Sequence, residues 1–228
     1  MPVPVIREYP HRLFAMNDSQ ILCYGDSNTW GYVPVSGERY PRPVRWAGVM
    51  AERLGPGFHV IEEGQSGRTT VWDDPLEEHR NGMRYLPACL LSHKPLDLVI
   101  LMLGTNDLKA RFSLLASDIA LGAERLVDVI QRSDCGRGGK APAILLAAPP
   151  PIVPKSGEDM FLGGDTKSAS FARCYAEIAQ RTGCAYLDVG SVIAVDAADG
   201  IHYDALAHKR LGLVMAERVQ SLLPTRIE

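Results

Sequence analysis

Four short stretches carry residue types suited to acyl transfer. Gly25-Asp26-Ser27-Asn28 follows Ile21-Leu22-Cys23-Tyr24, four residues that suit a buried strand. A serine just past a strand end can point into the crevice outside the carboxyl ends of an open α/β sheet. It is a nucleophile when a base reaches it. Asp199-Gly200-Ile201-His202 offers that base. His202 Nε2 would take the Ser27 proton and return it to the leaving group. Asp199 reaches back to His202 Nδ1 if the segment makes one turn, which would set tautomer and orientation. The charge that develops on the carbonyl oxygen needs donors already aimed at it. The backbone N–H groups of Ser27 and Gly67 and the side-chain amide of Asn106 would supply three. Gly67 lies in the polar loop Gly64–Thr70, and Asn106 in Gly104-Thr105-Asn106-Asp107.

Alone, Gly-Asp-Ser fits an ordinary turn. Gly-Thr-Asn-Asp fits a strand exit with N-cap residues, and Asp-Gly-Ile-His fits a turn before a core histidine. Together, in this order and each at a loop, they describe one site. His11, His59, His79, His93 and His208 have no such context.

These stretches need a scaffold that gathers them. Strands are expected at 20–25, 58–61, 96–103, 141–148 and 184–189. The run Leu96–Leu103 is apolar throughout, as in a central parallel strand covered on both faces. Helical spacing runs from Arg45 to Leu54 and from about Ser113 to Arg132. It recurs from about Asp165 or Thr166 to Arg181 and from about Ala205 to Leu223. Residues 33–44 and 72–87 read as loop, the latter with one helical turn at most, and Cys89–His93 as a short helix end closed by Pro95. Strands alternate with helices, which predicts an α/β fold with one doubly wound parallel sheet of about five strands. In such a sheet the loops after the strands share one edge, so Ser27, Gly67 and Asn106 can converge. Residues 1–19, with Pro2, Pro4 and Pro10, are expected to form an N-terminal arm, and 20–228 the domain.

The chain has 228 residues, 46% hydrophobic and 22% charged, with a net charge of -3. That length suits one α/β domain. The charge argues against nucleic acid or an anionic membrane as partner. No apolar run approaches the ~20 residues of a membrane span. Cys23, Cys89, Cys135, Cys174 and Cys184 are an odd number without CxxC spacing, so free thiols in a reducing, cytoplasmic setting are expected. The Glu62-Glu63 and Asp73-Asp74 pairs read as solvated or structural carboxylates, and neither a metal nor another cofactor is required.

The blocks Gly25-Asp26-Ser27, Gly67, Gly104-Thr105-Asn106-Asp107 and Asp199-Gly200-Ile201-His202 resemble those of the SGNH, or GDSL-type, hydrolases. The resemblance implies a flavodoxin-like three-layer α/β/α sandwich. It also implies Ser27, Gly67, Asn106 and His202 as the four namesake residues, with Asp199 completing a triad. From about residue 20 to 222 the chain is similar to the bacterial arylesterase/acyltransferase branch. The stretches Val-Arg-Trp, Val-Ile-Glu-Glu-Gly, Arg-Thr-Thr and Met-Leu-Gly-Thr-Asn-Asp carry that similarity. It implies hydrolysis of small acyl and aryl esters, acyl transfer to alcohols or peroxide, and a large homo-oligomer. Two departures stand out. Asn28 replaces the leucine of many relatives. Glu62 and Gly64 stand where many of the superfamily have Asn and Ser.

Trp30, Tyr32, Trp72 and Phe161 are the aromatic residues expected near the mouth, where they would favour short acyl chains and apolar alcohols or phenols. Trp30 and Trp72 fit equally well under loops or at a subunit contact. Two other readings remain open at this point. One is a carbohydrate O-acetyl esterase. The other is a flavodoxin-like nucleotide or flavin module, against which Asp26 and the lack of GxGxxG or GK[ST] count.

Overall fold

Apolar residues at successive positions of the first strand face opposite sides of a sheet. In the computed structural model, which describes residues 18–155 and 159–223, they feed two separate cores. Leu22 and Tyr24 join one and Ile21 and Cys23 the other. Five strands form the sheet: β1 (Ser19–Gly25), β2 (Phe58–Gly64), β3 (Leu98–Met102), β4 (Ala143–Ala148) and β5 (Ala185–Asp188). All pairs are parallel, in the order β2-β1-β3-β4-β5. This is the flavodoxin-like arrangement, with its switch point between β1 and β3.

Helices cover both faces. On one side α3 (Gly82–His93), α4 (Ala116–Gln131) and α6 (Phe171–Thr182) bury Leu86, Leu90, Leu126, Ile130 and Tyr175. On the other, α2 (Trp46–Leu54) and α7 (Ala205–Leu222) bury Trp46, Met50, Leu211 and Met215. Two short helices, α1 (Ser27–Trp30) and α5 (Gly164–Ser168), complete the chain. The proline-rich arm falls outside the described residues, apart from its last positions; Ser19 already belongs to β1.

The structure corrects the sequence-based outline in two places. Residues 82–93 form one full helix where loop was expected to residue 87 and only a short helix end at 89–93, with Pro87 inside it. Asn81 caps that helix by accepting from the N–H groups of Met83 and Arg84. An interior proline costs about 3 kcal/mol, whereas full burial of Leu86 and Leu90 contributes about 1.5–3 kcal/mol each, so packing wins. The single helix expected from about 165 to 181 is broken at Ala169–Ser170. There the Ser168 hydroxyl accepts from Ile152 N–H at 3.0 Å and donates to the Asp165 carbonyl at 3.1 Å. Such local side-chain bonds compete with helix continuation.

His208, expected to be ordinary, is fully buried in α7. Its Nδ1 accepts the Trp46 N–H at 3.2 Å, so the neutral ring carries its proton on Nε2. Burial pulls its pKa from 6.5 to about 4. Between those values the unfolded chain binds a proton that the fold refuses. The contribution of a neutral His208 is therefore complete above 6.5 and is lost as pH falls toward 4, a change of about 3 kcal/mol. Buried acids act with the opposite sign, so the readout is a difference between proteins. In urea titrations, stability relative to His208→Asn should fall as pH drops from 6.5 to 4, and a flat difference would contradict the assignment.

Candidate active site

β1 ends at Gly25, and α1 begins two residues later at Ser27. A Cβ at Gly25 would lie 2.0 Å from Thr29 Oγ1, so only glycine lets the short helix fold back on its own strand. Asp26 caps α1 by accepting the Asn28 N–H at 2.9 Å. Burial pushes the Asp26 carboxyl up to about 6, although this bond, His202 and the Thr105 hydroxyl oppose the shift. Ser27 is thus the first residue of a capped turn above the sheet edge.

The last loop brings His202 to that edge. Its Nε2 lies 3.0 Å from Ser27 Oγ, and its Nδ1 lies 2.7 Å from Asp199 Oδ2. The other Asp199 oxygen accepts from the N–H groups of Ile201 and His202, both at 2.9 Å. Partial burial raises the Asp199 carboxyl, but these N–H groups and the imidazole outweigh it and hold the carboxyl below its ordinary value. At Gly200 the backbone is left-handed (φ 72), and a Cβ would sit 1.8 Å from the Val153 carbonyl oxygen. Glycine there lets the loop lie against the chain leaving β4.

Asn106, in the turn after β3, gives one amide N–H to the Arg68 carbonyl at 3.2 Å and keeps the second. The backbone N–H groups of Ser27 and Gly67 have no acceptor among the described residues. An anion over the Ser27 side chain would find these donors at the exits of β1, β2 and β3.

Arg68, Thr70 and Asp107 hold those exits together. Arg68, 2% exposed, donates through one nitrogen to the carbonyls of Gly25 and Glu63, the C-terminal ends of β1 and β2. Its guanidinium lies over the Tyr24 ring at 4.2 Å. Asp107 accepts from the Thr70 N–H and hydroxyl, tying the Gly67 loop to the turn after β3. Burial, with the charge of Asp26 adding, raises Asp107 to about 7. Asp74 is fully buried at its side chain and pairs with Lys109, while Glu62 pairs with Arg42 and Arg45. Both are structural carboxylates; Asp74 is not solvated. The Arg-Thr-Thr stretch and the Asp of Gly-Thr-Asn-Asp were visible as pattern, but their partners lie far away in sequence.

The four aromatic residues separate. Tyr32 stacks on the His202 ring itself, with centroids 4.1 Å apart and planes at 22°. Trp30 lies 6.4 Å from Tyr32 and carries the Arg39 guanidinium over its ring. Trp72 is 36% exposed and makes no ring contact among the described residues. Phe161 is buried in the core cluster with Leu108 and Ile152, so it offers little surface to a mouth.

One group of metal-ligand types occurs among the described residues, formed by Glu63, Cys89 and His93. Two of its members already satisfy each other. Glu63 binds His93 Nε2 at 2.8 Å through one oxygen and accepts from the Tyr85 hydroxyl through the other. Burial pushes the Cys89 thiol up to about 12. All five cysteines are free. No described helix is long and apolar enough to cross a membrane.

Comparison with solved structures finds the M. smegmatis aryl esterase at 47% identity and a TM-score of 0.86, covering 90% of this chain and 100% of that one. A carbohydrate acetylesterase from Sinorhizobium meliloti is 44% identical over the same shares, with a TM-score of 0.87. A lipase/acylhydrolase from Enterococcus faecalis, at 18% identity and a TM-score of 0.66 over 92% of this chain and all of that one, shares the fold. No curated protein matches the sequence. Residues 23–210 match the GDSL-like lipase/acylhydrolase pattern, and with two esterases above 40% identity on the same fold, the chain belongs to that family and is a carboxylic ester hydrolase.

Proposed function

We propose that the protein is a serine esterase of small acyl and aryl esters that works through an acyl-enzyme on Ser27. The relay from Ser27 Oγ to His202 Nε2 at 3.0 Å, and from His202 Nδ1 to Asp199 at 2.7 Å, carries the reading. Ser27 Oγ attacks the ester carbonyl as its proton passes to His202 Nε2. Asp199 holds the other ring nitrogen and stabilises the imidazolium. The oxyanion takes the N–H groups of Ser27 and Gly67 and the second amide N–H of Asn106. Collapse breaks the bond to the alcohol or phenol, which leaves with the His202 proton. Water, or another alcohol, then attacks the acyl-serine with His202 as base.

Tyr32 covers one face of the imidazole. With Trp30 and Trp72 it would make an apolar wall over a short acyl group, a setting in which an alcohol competes with water for the acyl-enzyme. A carbohydrate O-acetyl esterase is the second reading, favoured by the S. meliloti relative at 44% identity. A homo-oligomer is also proposed; Val35 and Leu76, on the long loops, and Leu91, on α3, are more than half exposed. The free thiols suit a reducing compartment such as the cytoplasm.

Ser27→Ala should keep the wild-type melting temperature and lose p-nitrophenyl acetate hydrolysis by at least about 10⁴-fold; an active variant would end the serine mechanism. In a panel of esters, p-nitrophenyl acetate should be cleaved faster than the octanoate and than acetylated xylan, with alkyl acetate forming when butanol is added. Preference for the acetylated sugar would favour the second reading. Light scattering at micromolar concentration should report a multimer, and a monomer would refute the proposed assembly.

A further inference from the structure

The acyl-transfer steps make no use of the residue beside the nucleophile. Asn28 is 1% exposed, and its Nδ2 donates to the Ile201 carbonyl at 3.3 Å. That carbonyl and the His202 N–H belong to one peptide unit, and the N–H donates to Asp199 Oδ1 at 2.9 Å. A trans peptide points its C=O and N–H in opposite directions. The unit that leads into His202 is therefore held on one edge by Asn28 and on the other by Asp199.

The neighbouring carbonyls are held differently. Gly200 O accepts from Val153 N–H at 2.8 Å, and His202 O from Asp196 N–H at 2.7 Å. Those bonds fix the loop to the chain leaving β4 and to itself. The Ile201 carbonyl, between them, is the one bound to α1. Segments 27–28 and 201–202 are thus joined by two rungs, Ser27 Oγ to His202 Nε2 and Asn28 Nδ2 to Ile201 O. The first must break and re-form in every turnover, whereas the second persists.

We propose that Asn28 is a positioning residue for ester cleavage: its amide sets the depth of the His202 loop over α1, and so the reach from His202 Nε2 to Ser27 Oγ. The proposal rests on Ser27 and His202 being nucleophile and base. A second observation separates positioning from ordinary packing. Asn28 Oδ1 is buried without a partner among the described residues, which by itself burdens the fold. Leucine, branched at the same carbon although larger, removes the burden and the rung together.

The test is Asn28→Leu, assayed on p-nitrophenyl acetate beside wild type and Ser27→Ala. The expected result is kcat down roughly tenfold, as for one lost hydrogen bond, with KM within about twofold and an equal or higher melting temperature. Asn28→Asp keeps the shape but loses the donor when ionised, so its kcat relative to wild type should rise as pH is lowered and the acid form donates to Ile201. This second variant decides the matter if the leucine protein does not fold. Wild-type kcat in Asn28→Leu, or a pH-independent ratio near one in Asn28→Asp, overturns the positioning role. If Ser27→Ala is inert in the same assay, that failure belongs to Asn28 alone; if Ser27→Ala is active, the serine mechanism itself has failed.

Discussion

Ser27 Oγ and His202 Nε2 meet at 3.0 Å across 175 residues of chain. A neutral hydrogen bond of this kind contributes only about 0.5–1.5 kcal/mol net. It cannot gather the two segments, so the segments must be brought to each other by everything else. The sheet supplies the coarse placement. Its order puts the exits of β1 and β3 side by side at the switch point, with the exit of β2 on the far side of β1. Loops leaving parallel strands share an edge by construction, and that accounts for Ser27, Gly67 and Asn106. It does not account for His202, which follows β5, separated from β1 by two strands. The Asp199 turn, the close approach of Gly200 to Val153 and the Asn28–Ile201 bond close that last distance.

Fine placement is bought with buried charge. Asp26 caps a helix of only four residues, too short to hold itself. Asp107 fastens the Gly67 loop through Thr70. Both carboxyls are fully buried and titrate near neutrality, at about 6 and about 7. Arg68 is the buried cation among them, and its contacts run to the ends of β1 and β2 while its carbonyl receives Asn106. Burying such groups costs free energy unless each is hydrogen-bonded. Once satisfied, the set resists rearrangement, because moving any loop orphans a buried partner. That is the property an oxyanion site needs, since its donors must be in place before the charge appears.

Much of this was legible in the sequence, and the division follows interaction range. All five strands were readable because each contains a local stretch rich in apolar residues, although β2 carries His59, Glu62 and Glu63 as well. The four site blocks were readable because Gly, Asp, Ser, Asn and His are the residue types that the proposed acyl transfer needs at strand exits and turns. Asp199 and His202 lie three residues apart, so their contact is itself local. The first half of helix α3 was not readable, because Pro87 is a local signal against helix and the burial of Leu86 and Leu90 that overrides it depends on partners elsewhere. Phe161 was misjudged for a related reason: an aromatic in a glycine-bearing loop gives no sign that it turns inward.

Asn28 is the sharpest instance. In sequence it is visible only as a polar residue beside the nucleophile, where apolar packing is the ordinary expectation for a helix lying on its own strand. Its partner is 173 residues away, and the partner atom is a backbone carbonyl that every residue type carries. No side-chain pattern at Ile201 could announce it. Tyr32 behaves in the same way. Its chemistry suggests a substrate wall, yet its ring lies on the imidazole of His202. Both residues act on His202 from α1 and the loop that follows it, one through the backbone and one through the ring. In the proposed mechanism the segment that presents Ser27 therefore also shapes His202, so a change there would alter both partners of the proton transfer at once.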